Sequence, residues 1–146
     1  MVLTEDFKEF IKLLNEYNVR YLIVGGYAIA LYGHPRYTKD LDLWIWSNKE
    51  NAKKLLEVLD KFGLSGFDYK IEDFLNTDNI IQLGVPPNRI DLIMDLTGVD
   101  FEYCYTLRKV IEIDKIELPV IDLDNLKKNK KALGRHQDLA DLENLE

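Results

Sequence analysis

The chain is predicted to fold as an α+β (α/β) protein, a mixed β-sheet flanked by helices with a helical C-terminal tail. Three observations predict it. Short apolar runs rich in Ile, Val, Leu and aromatic residues recur along the chain. Between them lie stretches of helical periodicity that begin on capping residues and stop at glycine. No internal repeat, low-complexity segment or linker interrupts the pattern.

At 146 residues the chain is expected to form one domain, 1–146, with the tail 121–146 packing on it. A hydrophobic fraction of 47% with 11% aromatics supports a folded core and argues against disorder. The net charge of -7 argues against a surface that binds nucleic acid throughout, while leaving room for a local basic patch. The one cysteine, Cys104, excludes an intrachain disulfide and fits a reducing compartment. Acids stand at the N-terminus where a secretory signal needs basic residues, and no apolar run approaches membrane-spanning length. The expectation is a cytoplasmic protein with no membrane partner.

Thr4 to Tyr17 reads as an amphipathic helix: Thr4 can cap, Glu5 and Asp6 suit the first-turn dipole, and Phe7, Phe10, Ile11 and Leu14 share one face. Tyr21 to Val24 is a short buried strand. Gly25-Gly26 is a strand-to-helix turn, Tyr27 to Tyr32 a helix, and His34-Pro35 a loop. A second strand is expected from about Thr38 to Trp46. Ser47 with Glu50 reads as a capping box that starts a helix ending at Phe62, before Gly63. Leu64 to Asp78 gives no firm signal. Asn79 to Leu83 and Arg89 to Asp95 read as a β-hairpin around Gly84 to Asn88, and Asp100 to Tyr105 as a short helix. Lys109 to Ile113 and Ile116 to Ile121 form another strand pair. The tail from Asp122 to Glu146 is expected to hold two helices broken at Gly134, the first rich in lysine at Lys127, Lys128, Lys130 and Lys131.

Two features carry chemistry. Glycine permits a tight turn and close approach of a ligand to the backbone, so Gly25-Gly26 is either an anion site at a helix start or a plain connecting turn. Asp40 and Asp42 lie two apart on a predicted strand and therefore face the same way. Like charges that close are costly without a cation between them. They are either a solvated acidic face or a pair of oxygen ligands for a hard cation such as Mg²⁺. The surrounding Leu, Trp and Ile residues favour the second reading, since carboxylates are expensive to bury unpartnered. Asp91 sits in another apolar run, Arg89 to Ile93, and can be a third ligand or can pair with Arg89 or a lysine.

Gly25-Gly26, thirteen residues, then Asp40-Leu41-Asp42-Leu43, then Asp91 on a later strand, resembles the signature of the DNA polymerase β-like nucleotidyltransferase superfamily. The run Gly33-His34-Pro35-Arg36-Tyr37-Thr38-Lys39-Asp40-Leu41-Asp42 resembles its small stand-alone branch related to the AbiEii toxins. Asn129 to Leu142 resembles the C-terminal pattern of those proteins, a lysine-rich helix followed by Arg-x-Lys-Asp-Leu-x-Asp, with Gln137 where lysine is usual.

The resemblance implies a nucleotidyltransferase fold and an enzyme that moves a nucleoside monophosphate from an NTP to a hydroxyl acceptor. Asp40, Asp42 and Asp91 would be catalytic and bind two Mg²⁺ ions, with Mn²⁺ an alternative. Gly25 and Gly26 would hold the triphosphate. Arg36 and Thr38 share parity with the aspartates and would join the nucleotide site, Arg36 alternatively being a loop arginine paired with an acid. Lys130 would be the tail's phosphate contact. The acceptor could be RNA such as tRNA, a protein or a small molecule. The AbiEii likeness also implies a toxin–antitoxin component with an antitoxin partner, and a non-enzymatic nucleotide-binding module is the third reading. Trp44 and Trp46 share the aspartates' parity and either stack a base or pack beneath helices. Arg135 and Asp138 are expected to form an ion pair that docks the last helix. His34 and His136 lack zinc-site spacing, and Cys104 reads as buried and inert.

Overall fold

Helix α1 (Glu5–Glu16) begins at Thr4, whose hydroxyl accepts from the Phe7 amide, and buries Phe7, Phe10, Ile11 and Leu14. Strand β1 (Tyr21–Val24) is buried along its whole length, as four consecutive apolar residues require. Helix α2 (Gly25–Leu31) starts on the first glycine of the pair without any side-chain cap. Strand β2 (Leu41–Ile45) alternates Leu41, Leu43 and Ile45 on one face with Asp42 and Trp44 on the other. The computed structural model describes residues 3–34, 40–85 and 88–145, the Ser65 side chain excepted. The expected beginning of the second strand at Thr38 lies outside the described residues.

Helix α3 (Lys49–Lys61) corrects one expectation. Its cap is Asn48, whose side-chain oxygen accepts from the Glu50 and Asn51 amides. The Ser47 hydroxyl instead donates to the Phe74 carbonyl at 3.1 Å. Asparagine and serine are comparable caps, so the position nearer the helix wins once Ser47 is engaged elsewhere. The weak stretch after Gly63 resolves into two 3₁₀ turns, Ser65–Phe67 and Ile71–Phe74, of which Phe74 reaches the core.

Strands β3 (Ile80–Leu83) and β4 (Ile90–Ile93) pair antiparallel as the expected hairpin. Helix α4 (Phe101–Thr106) is capped by Asp100. Strands β5 (Lys109–Ile113) and β6 (Ile116–Val120) form the second antiparallel pair. The tail holds α5 (Leu123–Leu133) and α6 (His136–Leu145), separated at Gly134, which takes φ 65°.

The strands assemble in the order β3-β4-β2-β1-β6-β5. The sheet is mixed: β1 runs antiparallel to β2 and parallel to β6, and β2 runs parallel to β4. Helix α1 packs on α3 and β6, α2 lies against β1 and β2, and α5 and α6 pack together. This is the α+β architecture, a mixed six-stranded sheet flanked by helices.

The site's position follows from one register. Strand β4 enters between β3 and β2, and its pairing sets Asp42 beside Asp91. On β2's other side Asp42 is opposite Val24, the last residue before the glycine pair. The acids therefore gather where β1 ends and α2 begins.

Candidate active site

Parallel register between β2 and β4 places Leu41 against Ile90 and Asp42 against Asp91. Carried one pair further, it sets Arg89 beside Asp40, and the Leu41 amide donates to the Arg89 carbonyl at 3.0 Å. One sheet face thus presents four side chains as the corners of a quadrilateral: Asp42 on β2 with Asp40 just before that strand, and Asp91 on β4 with Arg89 just before it. Three are acids and one is a guanidinium. Arg89 Nε donates to Asp91 Oδ1 at 2.8 Å, and Nη2 donates to Asp91 Oδ2 at 3.0 Å and to Asp40 Oδ2 at 2.7 Å.

Asp42 is left with the largest electrostatic burden. Burial comes first, and the charges of Asp91 and Asp40 follow; together they push its carboxyl up to about 7, with Lys130 pulling the other way. Asp91 is itself only 7% exposed. The protonated form of Asp42 is thereby favoured, an ordinary consequence of crowding carboxylates in a dry place.

The glycine turn explains why Asp42 can sit there. Gly25 has φ 68°, the left-handed region that side chains avoid, and a Cβ at Gly25 would overlap the Asp42 carboxylate. Gly25→Ala is accordingly expected to cost about 2–4 kcal/mol, strain and overlap combined. Gly63, at φ 93° and with no neighbouring atom within 4 Å of where a methyl group would sit, isolates the strain alone. Gly63→Ala should cost about 1 kcal/mol, and equal losses for the two variants in denaturant melts would show that the Asp42 contact adds nothing.

The tail approaches the same region. Asn129 Nδ2 donates to the Thr97 carbonyl at 2.9 Å, and Gly98 leaves space for Ala132, where a Cβ would collide. These contacts press α5 against the loop that leaves β4. Lys130 is 4% exposed, with its ammonium 3.3 Å from Asp138 Oδ1 and 3.4 Å from Asp141 Oδ2. It stands in a buried ion cluster rather than on an open surface, and its charge reaches Asp42 through space. The expected Arg135–Asp138 pair forms, Nε to Oδ2 at 2.5 Å, and its guanidinium with Lys130 holds the Asp138 carboxyl below its ordinary range despite burial. Gln137, where lysine is usual in the resembling pattern, donates to Asp141 Oδ1 at 2.9 Å.

Of the residues singled out in the sequence, the fold brings together Asp40, Asp42, Asp91 and Gly25-Gly26. Arg36 and Thr38 lie outside the described residues. Asp138 and Asp141 as partners of Lys130 are what sequence reasoning missed; their i, i+3 spacing on α6 was the available signal. Trp44 packs edge-to-face on Phe101 at 5.1 Å, and Trp46 lies between Phe101 and the Arg20 guanidinium. Both are packing residues here. Cys104 is fully buried, which pushes its thiol up to about 11, as an inert thiol requires.

Hard divalent cations take oxygen ligands, and three carboxylates on one face suit them in kind. In arrangement they do not yet: among the described residues, no three His, Cys, Asp or Glu side chains converge to hold one ion. Arg89 takes up oxygens of two of the three.

Residues 6–145 match the model of a family described as aminoglycoside-2''-adenylyltransferase. Three solved structures share the fold. A candidate nucleotidyltransferase from Thermotoga maritima superposes with TM-score 0.63 at 15% identity, covering 94% of this chain and 88% of its own. An antigenic nucleotidyltransferase-like protein from Paracoccidioides brasiliensis gives 0.59 at 16%, covering 96% and 74%. The lincosamide antibiotic adenylyltransferase LnuA, with lincomycin bound, gives 0.55 at 15%, covering 99% and 96%. No curated protein sequence matches the chain significantly. Among the described residues, no helix is long and apolar enough to cross a membrane.

Proposed function

Because the chain belongs to the aminoglycoside-2''-adenylyltransferase family, we propose that it transfers a nucleoside monophosphate from an NTP to a hydroxyl acceptor. The observation that carries this is the register that sets Asp42 beside Asp91 at the end of the glycine turn. The acceptor oxygen would attack the α-phosphorus as pyrophosphate leaves, and the hydroxyl proton would pass to a carboxylate, a role we assign to Asp91. Asp40, Asp42 and Asp91 would hold Mg²⁺ or Mn²⁺. Bound, the metal supplies neutralisation of the charge that develops on the phosphoryl oxygens. The triphosphate would approach the backbone of the Gly25-Gly26 turn beside the Asp42 carboxylate, for which Gly25 makes room. Lys130 contributes positive potential at Asp42 rather than a direct contact.

For the acceptor we favour a small cationic polyol. The family's description names an aminoglycoside and LnuA is a lincosamide adenylyltransferase. A net charge of -7 attracts cationic molecules and repels nucleic acid. The test is incubation with Mg²⁺, each labelled NTP, and a panel of aminoglycosides, lincosamides and tRNA. Transfer to a small hydroxylated acceptor that stops in Asp42→Asn is the expected result. Transfer to tRNA alone would overturn the choice of acceptor, and no transfer with no metal-dependent NTP binding would overturn the enzymatic reading. The Gly33-to-Asp42 motif also supports a cytoplasmic toxin of the AbiEii kind acting with an antitoxin. Growth arrest on expression, relieved by Asp42→Ala, distinguishes it.

A further inference from the structure

We propose that Arg89 is a built-in counterion of the carboxylate site, which clamps Asp40 and Asp91 in the metal-free enzyme and must swing away before a divalent cation can bind there. The inference rests on the metal-dependent reading above and adds a competitor to it.

Three features of the site support it. Register makes Arg89 the fourth corner of a face whose other corners are Asp40, Asp42 and Asp91. Its guanidinium makes three hydrogen bonds to the outer two acids, at 2.7, 2.8 and 3.0 Å, using both oxygens of Asp91 and Oδ2 of Asp40. Those are oxygens a shared metal would need, and among the described residues no three acids converge to hold one ion. A planar guanidinium that forks across two carboxylates does electrostatically what a divalent cation does there, with a single charge instead of two. Arginine does not lose its proton at any pH a protein survives, so it can vacate the site only by moving.

The side chain has somewhere to go. Arg89 is 25% exposed, whereas the Asp91 it holds is 10% exposed at the side chain. It is the residue immediately before β4. Freed from the acids, its guanidinium would remain within reach of the face on which the triphosphate is proposed to bind. Arg89 is on this account a positioning residue, not a catalytic one.

Two competing roles predict opposite signs. If Arg89 merely scaffolds the acids, its removal loosens the site and weakens metal binding. If it competes, removal tightens binding. We would measure Mn²⁺ binding to the full chain by the free-ion electron paramagnetic resonance signal, in wild type, Arg89→Met and Arg89→Lys. Removing one unit charge from hydrogen-bonding distance should tighten Mn²⁺ by about tenfold in Arg89→Met. Arg89→Lys, which keeps the charge, should stay near wild type. Unchanged or weaker binding in folded Arg89→Met overturns the inference and leaves metal dependence standing. No Mn²⁺ binding by wild type or any variant overturns both. A second readout needs no variant: the Arg89 Nε–H resonance of the wild type should shift and exchange faster with solvent as Mg²⁺ is added. If it stays fixed at saturating Mg²⁺, the swing does not occur.

Discussion

Lys130→Met is expected to destabilise the fold by about 3–5 kcal/mol, the range for breaking a buried ion pair from one side. The ammonium lies among Asp138 and Asp141, whose side chains are each 1% exposed, while its own is 6% exposed. Methionine keeps the length of the side chain and removes the charge. Two carboxylates then remain in a dry interface, where Arg135 still donates to Asp138 and Gln137 to Asp141. For a chain of 146 residues, the melting temperature should fall by roughly 10 °C or more. The loss arises from stranded acids and not from a vanished favourable pair. The triple change Lys130→Met, Asp138→Asn, Asp141→Asn should therefore recover a substantial part of it. A melt of Lys130→Met within about 2 °C of wild type would mean that this cluster does not hold α6 to α5. The same substitution removes a cation that lowers the Asp42 carboxyl, so the Asp42 titration should move further up.

The tail shows where a sequence stops being legible. Helix formers throughout and the break at Gly134 marked two helices, and both formed. That Lys130 turns inward while Lys128 and Lys131 face solvent depends on how α6 folds back over α5, a tertiary fact with no local signature. The sheet divides the same way. Alternation of Leu41, Leu43 and Ile45 with Asp42 and Trp44 was readable as a strand with two faces. Its parallel pairing with β4, about fifty positions away, was not, and only that pairing puts Asp42 against Asp91. Arg89 lay between these cases. Its spacing of two from Asp91 placed both on one face, but the reach to Asp40 required the neighbouring strand. Ser47 misled because Ser47 and Asn48 are both good caps, and the Phe74 carbonyl that captures the serine comes from a segment with no clear pattern.

Asp42→Asn is expected to separate activity from stability most sharply. The proposed transfer should fall by about a thousandfold or more, since an amide is a poor ligand for the hard cation that would neutralise charge on phosphate. The metal-free fold should become more stable at neutral and higher pH. The sign follows from linkage. Burial and the neighbouring acids raise the Asp42 carboxyl from 3.8 to about 7, so between these values the folded chain binds more protons than the unfolded one. Stability from this group is greatest below pH 4 and is lost as pH rises through 7. Asparagine has no proton to lose. The stability of Asp42→Asn relative to wild type should accordingly grow from pH 5 to pH 8, by about 2 kcal/mol after allowance for the group's partial contact with water. Asp138, held below its ordinary range, contributes stability above pH 4 that is lost only in more acid solution, so it leaves this window undisturbed. A bound divalent cation would favour the ionised form, and saturating Mg²⁺ should flatten the wild-type slope while leaving the variant unchanged. Denaturant melts at four pH values, with and without Mg²⁺, read the whole pattern. A difference between wild type and variant that is constant from pH 5 to pH 8 would show that Asp42 titrates as an ordinary carboxylate and that the acids are less crowded than their register implies.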